Sequence, residues 1–515
     1  MPAMDSPLDF LRNWLPLGRR DDNGDDAQTL RAWLDEMSGA PTAELLESLA
    51  LRLAPMAGAQ KNLHMRVKLI DTFDEIARDL LPPLEQELGQ ISLPLSPAMQ
   101  AKALAADNLL KALASAYAAV LGSIEARHLA SGLVQLAQQA AQQAIIALRR
   151  RQLLACRVYA NPSASSWQHL HELHQTCVRL GLMGKPRTGL PIEQLYYSTL
   201  LLAYADPGKF ARTELDTLLD CAEIGAGLIH ARAAETIKDA HPETALFVVD
   251  PKSKDPGKPL VRTRASNPKE LLYLDCTSLA AGIRSDIGAK SRIDVQPHPW
   301  LFPKAPLPML RTLAAMWGAQ PTRRFSRMRF KPRADLVIGL FDVSLFLAGG
   351  AFRRRQNDHD YRPGKSPAIS EWLLIDESPD GFGVRYRRGE LGSIEVGDVV
   401  GIRPRESSQV QICLVRRVSN AGQARFEIGL QNLSPHALVV DVPGLNGHGH
   451  SKGVLLPRMP AYNNAAGLLS VPGSVPAGLE IAYPAGDKTL HLKLAQRVEG
   501  NTRNDFHLML PPESA

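Results

Sequence analysis

Apolar positions along this chain follow one rhythm up to about residue 318 and another from about residue 323. Between Ser96 and Tyr159 the sequence is rich in Ala, Leu and Gln and nearly free of Gly and Pro. Such residues lose little on entering a helix. Ser96-Pro97 predicts a helix start: Ser accepts from the first unpaired amides and Pro fits the first helical position. Gly122 and Gly132 predict that the stretch is two helices. Ser166-Trp167 predicts another start, and Asp206-Pro207 a further one, running to about Ile237. Around Ala245 to Arg264 the pattern becomes ALFVV, a turn-rich DPKSKDPGKP and LVRTR, which predicts a β-hairpin. LLYLDCTSLAAGIRSDI then returns to a pattern that fits either strand or helix. Residues 1–318 read as a mostly α-helical region, with further subdivision left open and no clean repeat period.

From about residue 323 the period is two. EWLLID, FGVRYR, VVGIRP, VQICLVRRV and RFEIGLQNL alternate with Pro-Asp-Gly, Val-Gly-Asp and Ser-Asn-Ala-Gly turns. Short strands so spaced predict an antiparallel barrel or sandwich over 319–435. Residues 334–367 read as an insertion, an apolar strand or helix followed by a basic, polar loop. After GLNGHGHSKG, the runs GVLLP, GLLSV, LEIAYP, LHLKLAQRV and DFHLML predict a β-rich extension over 436–515. The fold class expected is therefore multidomain α plus β: a helical region, an antiparallel β-barrel and a β-rich C-terminal extension.

Composition narrows the function. Of 515 residues, 22% are charged and 45% hydrophobic, and the formal net charge is +6. That excess is too thinly spread to predict a nucleic-acid polymer as partner. Cys156, Cys177, Cys221, Cys276 and Cys413 are odd in number and contain no CxxC pair, which argues against a disulfide framework or a zinc knuckle. MPAMDSPLDFLRNWLPLGRRDDNGDD has no basic stretch leading into an apolar core, so no secretory signal is read. No run of eighteen apolar residues occurs, so no membrane span is expected, and the expected location is the cytoplasm.

Two features of the β-region carry chemistry. TRRFSRMRFKPR holds Arg323, Arg324, Arg327, Arg329 and Arg333 where the helical pattern ends. DESPDG, with Asp376, Ser378 and Gly381, ends the strand EWLLI. Guanidinium forks grip phosphate, bond the O6/N7 edge of guanine and stack on a base face. Asp376 can accept from the N1–H and N2–H donors of a guanine. Ser378 can contact a phosphate or hold the turn. Gly381 allows a positive φ and a close backbone approach.

In this order, RRFSR, DESPDG, EVGDVVGIRP, the VRRV strand and FEIGLQNLSP resemble the PilZ domain, whose signature is RxxxR followed by [D/N]xSxxG. The resemblance covers about a quarter of the chain. It implies a six-stranded barrel that binds cyclic di-GMP, with Arg323 and Arg327 as the arginine pair, Arg324 assisting, and Asp376, Ser378 and Gly381 as the second motif. Arg329 and Arg333 also satisfy RxxxR. Arg327 and Asp376 are 49 positions apart, more than is usual for the family, because of the intervening insertion.

Each feature also has a plainer meaning. Taken alone, an arginine run at a domain junction is a solvated linker and DESPDG an ordinary turn. His169, His171 and His174 are expected on one helix, and they read as surface or core histidines rather than metal ligands. His448 and His450 read as part of a glycine-rich loop. Gly364-Lys365-Ser366 lacks the earlier glycine of a P-loop, because position 359 is His. DVSL at Asp342 has Leu347 where the second motif needs glycine. No nucleophile elbow, HExxH, GxGxxG, GGDEF or EAL sequence is present. The expectation is a non-enzymatic, cofactor-free receptor for cyclic di-GMP that signals to a protein partner in motility, adhesion or biofilm control. The rivals are an adaptor with a degenerate PilZ domain, and an enzyme whose site lies in the helical half.

Overall fold

The computed structural model of the chain describes residues 24–37, 39–90, 93–126, 131–237, 244–260, 268–291, 299–318, 332–350, 367–405, 407, 409–420, 425–443, 450–485 and 488–511. It divides into two compact units, one helical and one built from β-strands. Unit 2 comprises Thr322–Ala515 with the short segments Ser92–Pro94 and Gly208–Arg212.

Unit 1 starts with the helices α1 (Gly24–Glu36), α2 (Thr42–Ala59), α3 (Leu63–Gln90), α4 (Pro97–Glu125) and α5 (Val134–Arg157). The start at Ser96 is as the sequence predicts, with the Ser96 hydroxyl accepting from the Met99 amide at 3.3 Å. The glycine-bearing link does separate α4 from α5. Helix α4 is long and apolar enough to cross a membrane by length and composition, with half of its most apolar window buried. Leu109, Leu113, Tyr117 and Val120 form a buried stripe on it, and it packs against α2, α3 and α5. Tyr117 donates to the Asp71 carboxylate at 2.6 Å.

Helix α6 (Ala164–Arg179) starts earlier than Ser166-Trp167 suggests, because Ser163 caps it by accepting from the Ser166 amide. After α7 (Ile192–Tyr204) the sequence reading needs a larger correction. Asp206 sits in the left-handed region at φ 57°, two short 3₁₀ turns follow, and α8 spans only Leu215–Ala226. What starts at Pro207 is a single 3₁₀ turn, Pro207–Lys209, followed by another at Arg212–Glu214, and the α-helix begins only after them. The strands β1 (His230–Arg232), β2 (Leu246–Val249), β3 (Lys258–Pro259) and β4 (Leu272–Asp275) make an antiparallel sheet in the order β1-β4-β2-β3. The hairpin read at 245–264 is corrected in its second arm: β2 pairs with β3 at Lys258–Pro259, inside the stretch read as the turn, while residues 261–264 of LVRTR lie outside the described residues, and the β2–β3 pair is one edge of a larger sheet. LLYLDCTSLAAGIRSDI is both strand and helix, β4 followed by α9 (Thr277–Lys290), and α10 (Leu307–Trp317) closes the unit.

His171 and His174 are packing residues of α6. His171 is fully buried; its Nε2–H donates to the Asp255 carbonyl at 2.9 Å and its Nδ1 accepts from the Tyr196 hydroxyl at 2.8 Å. Burial favours the neutral ring, and with the proton on Nε2 for the Asp255 carbonyl, Nδ1 is left to accept. His174 stacks on Tyr196 with ring centroids 3.9 Å apart. Burial, then the neighbouring His171, pull its pKa from 6.5 down to about 4. Burial also lowers that of His171. Below pH 6.5 the unfolded chain therefore binds protons that the folded chain refuses, so stability falls as pH drops towards 4. Between pH 7 and 5 the loss expected from His174 is on the order of 2 kcal/mol. Urea denaturation at the two pH values measures it, and His174→Phe, which keeps the stack, should shrink the difference.

Unit 2 contains a closed six-stranded antiparallel barrel, as the family resemblance implies. Its strands are β5 (Arg333–Ile338), β6 (Ser370–Ser378), β7 (Gly381–Gly389), β8 (Val399–Pro404), β9 (Gln411–Asn420) and β10 (Phe426–Ser434). Around the barrel they run β5-β6-β7-β10-β9-β8. The first part of the stretch read as an insertion is β5 itself, followed by the short helix α11 (Leu340–Leu345). The extension forms a six-stranded antiparallel sheet: β11 (Leu438–Pro443), β12 (His450–Met459), β13 (Ala465–Ser470), β14 (Glu480–Ala485), β15 (Lys488–Gly500) and β16 (Asp505–Leu510). Period two decides its packing. Val454, Leu456, Leu469 and Phe506 face a core shared with Val399, Ile412 and Leu414 of the barrel. Leu455 and Leu468 face the opposite way, into a second core with Val442, Ile481 and Tyr483.

Candidate functional site

The turn between β6 and β7 has only two loop residues, Pro379 and Asp380, since Ser378 pairs with Gly381. Pro presets the φ that such a turn needs. The Ser378 hydroxyl donates to the Gly381 carbonyl at 3.4 Å, and the Asn432 amide donates to the Asp380 carbonyl at 2.9 Å. The turn is thereby tied to β10. Gly381 cannot be replaced without cost: a Cβ there would lie 1.8 Å from the Leu430 carbonyl oxygen.

Alternation then bares a patch of the outer surface. Phe382 and Val384 of β7 are buried, as are Ile428 and Leu430 of β10. Gly383 and Gly429 lie between them on the other face and are register partners. Two facing glycines leave a floor of bare backbone, on which a planar group can lie flat. Asp376 leans over this floor, its Oδ1 2.6 Å from where a Gly383 Cβ would be.

Two irregularities in the ladder aim the walls. One lies between Leu374 and Asp376 in β6. The other is in β9, where Arg417 pairs with Gly429 and Val415 with Leu430, leaving Arg416 as the extra residue. A bulge of this kind redirects side chains. The outcome is a cavity of about 500 Å³ whose lining includes Asp376, Ser378, Gly381, Gly383, Gly429 and Arg417, together with Arg416, Gln431 and Lys209. Arg416 is held by Gln431 Oε1, which accepts from its Nε at 2.7 Å, and by the Glu499 carboxylate, which accepts from its two terminal nitrogens at 2.7 and 2.6 Å. Burial alone would lower the pKa of this guanidinium; hydrogen bonding and charge from Glu499 hold it above its ordinary range.

The structure therefore brings Asp376, Ser378 and Gly381 to one cavity. Arg323, Arg324, Arg327 and Arg329 lie outside the described residues. Arg333 is described and is committed elsewhere: it approaches Glu371 at 3.5 Å, and Arg387, Arg388 and Arg405 bond the same carboxylate at 2.6, 3.0 and 2.9 Å. It does not line the cavity. Sequence reasoning missed Gly383, Gly429, Arg416 and Arg417. The signals were present: a glycine at an outward position in each of FGV and IGL, and two adjacent arginines breaking the alternation of VRRV.

Among the described residues no group of three or more His, Cys, Asp or Glu side chains is arranged to hold a metal ion. The five cysteines are buried thiols, with burial pushing that of Cys156 up to about 12.

Comparison with known proteins agrees with this architecture. The family model for the N-terminal domain of the cyclic-di-GMP receptor FimW matches residues 28–234. The model for the middle PilZ domain of the same receptor matches residues 351–438, which include the whole β6–β10 segment and the cavity turn. The cyclic-di-GMP receptor FimW of Pseudomonas aeruginosa is 20% identical over 480 residues, covering 79% of this chain and 77% of the relative. The two models together match more than half of the chain, in the order helical domain then PilZ barrel, and so the chain belongs to the PilZ-domain family that includes the cyclic-di-GMP receptor FimW.

Proposed function

We propose that this protein is a receptor for cyclic di-GMP, a binding protein rather than an enzyme, and that the cavity beside the β6–β7 turn is its ligand site. A guanine lies on the Gly383–Gly429 floor with its N1–H and N2–H donating to Asp376. Ser378 and Arg417 face the phosphates. Arg323 and Arg327, assisted by Arg324, close over the ligand from the segment that precedes β5.

One observation carries the reading. Pro332, the first described residue after the arginine segment, accepts through its carbonyl from the Leu374 amide at 3.0 Å. The chain thus enters the barrel beside the end of β6 that bears Asp376, only five residues after Arg327. Five extended residues span up to about 17 Å, enough for a guanidinium to reach across the cavity. An arginine arm ordered by an anionic ligand acts as a switch, through the difference in ligand affinity between its ordered and open states. The output passes to the helical unit or to a protein partner in motility, adhesion or biofilm control. In calorimetric titration, Arg327→Ala should weaken cyclic di-GMP binding by about tenfold or more, as expected for loss of a charge-assisted bond to phosphate. Binding as tight as the parent's would remove Arg327 from the site.

A further inference from the structure

The C-terminal sheet repeats the connectivity of the barrel. Numbered from its own first strand, the barrel runs 1-2-3-6-5-4 before it closes on itself. The sheet β11-β12-β13-β16-β15-β14 runs 1-2-3-6-5-4 as well. The sheet stays open, yet Val442 of its first strand and Ile481 and Tyr483 of its fourth meet in one core. It is curled like a barrel whose last seam is unpaired.

The two β-units differ where the barrel has its cavity. In the barrel, the third strand carries Gly383 on its outer face and Asp376 of the second strand leans over it. In the sheet, the third strand carries Gly467 at the corresponding place. There a Cβ would meet Met459 Cε of the second strand at 2.6 Å and Phe506 at 2.9 Å. Met459 and Phe506 are fully buried in the core shared with the barrel. An apolar plug thus stands where the barrel keeps a carboxylate over an open floor. The connection after Met459 contains Tyr462, which packs edge-on against Phe506 with centroids 5.2 Å apart and shares a hydrogen bond with Arg416. In β15 a second irregularity, between Arg497 and Glu499, accompanies the Glu499 carboxylate that grips Arg416 from the far side. The Arg416 side chain is 34% exposed and that of Glu499 24%.

We propose that the C-terminal sheet is a second copy of the barrel topology that has given up ligand recognition, and that its Glu499 and Tyr462 are positioning residues which hold Arg416 in the cavity lining until an anionic ligand competes for it. The inference rests on the receptor reading above and deepens it. Arg416 donates through Nε to Gln431 and through both terminal nitrogens to the Glu499 carboxylate, so a ligand phosphate that takes this bidentate edge must displace the carboxylate. Binding then loosens the grip of β15 on the barrel and makes the C-terminal sheet sensitive to occupancy of the cavity.

The test is calorimetric titration of cyclic di-GMP into the full chain, its Glu499→Gln variant, and both again in an Arg416→Ala background. Removing the competing charge should tighten binding about 5- to 10-fold, the range of ordinary coupling between two sites. The gain should vanish when Arg416 is absent. Hydrogen exchange on the parent gives an independent readout: ligand should speed exchange in residues 497–500 while slowing it at the β6–β7 turn. Unchanged or weaker binding by Glu499→Gln, or a gain that survives loss of Arg416, would overturn the coupling. Should Glu499→Gln fold poorly, Tyr462→Phe carries the same expectation with a smaller gain. A parent chain that does not bind cyclic di-GMP would instead overturn the receptor reading itself.

Discussion

Gly381→Ala should destabilise the β-unit by about 3 kcal/mol, near the upper end of overpacking penalties. The reason is local and severe. An added methyl carbon would stand 1.8 Å from the Leu430 carbonyl oxygen and 2.9 Å from its carbon. Both are backbone atoms of β10, where Gly381 pairs with Gln431 in the register that joins β7 to β10. No side chain can swing away to relieve the clash, so the turn or the ladder must move. For a unit of this size the loss corresponds to a fall of roughly 6–12 °C in melting temperature. Thermal unfolding followed through the β-unit measures it, and a change under 2 °C would mean that the turn tolerates a displacement the geometry denies it. Because Ser378 and Asp380 belong to the same turn, ligand binding should fall with stability.

Asp376→Ala is expected to weaken cyclic di-GMP binding on the order of 100-fold, since it strips a charged acceptor from donors enclosed by the site. It should do so with little change in folding, because Asp376 stands at an irregularity of β6 on the outer face rather than in the core. Gly383→Val approaches the same result from the opposite side. It pushes the Asp376 carboxylate from its place and covers the floor on which the base lies. Retained affinity in both variants, measured by calorimetry beside an unchanged melting temperature, would place the ligand elsewhere on the barrel.

Much of this is legible in the sequence where the determinants are local. Ser96-Pro97 caps and opens α4 because the hydroxyl and its target amide are three residues apart. The barrel strands show through as period-two runs broken by turn residues, and DESPDG reads as a tight hairpin. The failures share a different cause. Asp206-Pro207 has the composition of a helix start, but tertiary context puts Asp206 in the left-handed region and delays α8 to Leu215. LVIGL fits both strand and helix because a short apolar run suits either; pairing with β6 and β8 makes Leu336–Ile338 strand, and Leu340 opens α11. The Gly383–Gly429 floor depends on register across 46 positions of sequence. The Arg416–Glu499 pair spans 83. Neither distance is written in any window of the chain. The repeated strand order is hidden for the same reason: a two-residue turn joins β6 to β7, whereas five residues join β12 to β13, so no constant period survives.

The central claim is most directly tested by titrating cyclic di-GMP into the unmodified chain by calorimetry, with GTP as control. The account predicts saturable binding of the cyclic dinucleotide and a rise in melting temperature when it is present, because a ligand that binds only the folded state stabilises it. GTP should give neither. No heat and no thermal shift at ligand concentrations well above the protein's would contradict it, leaving the barrel a docking module whose cavity is empty of function.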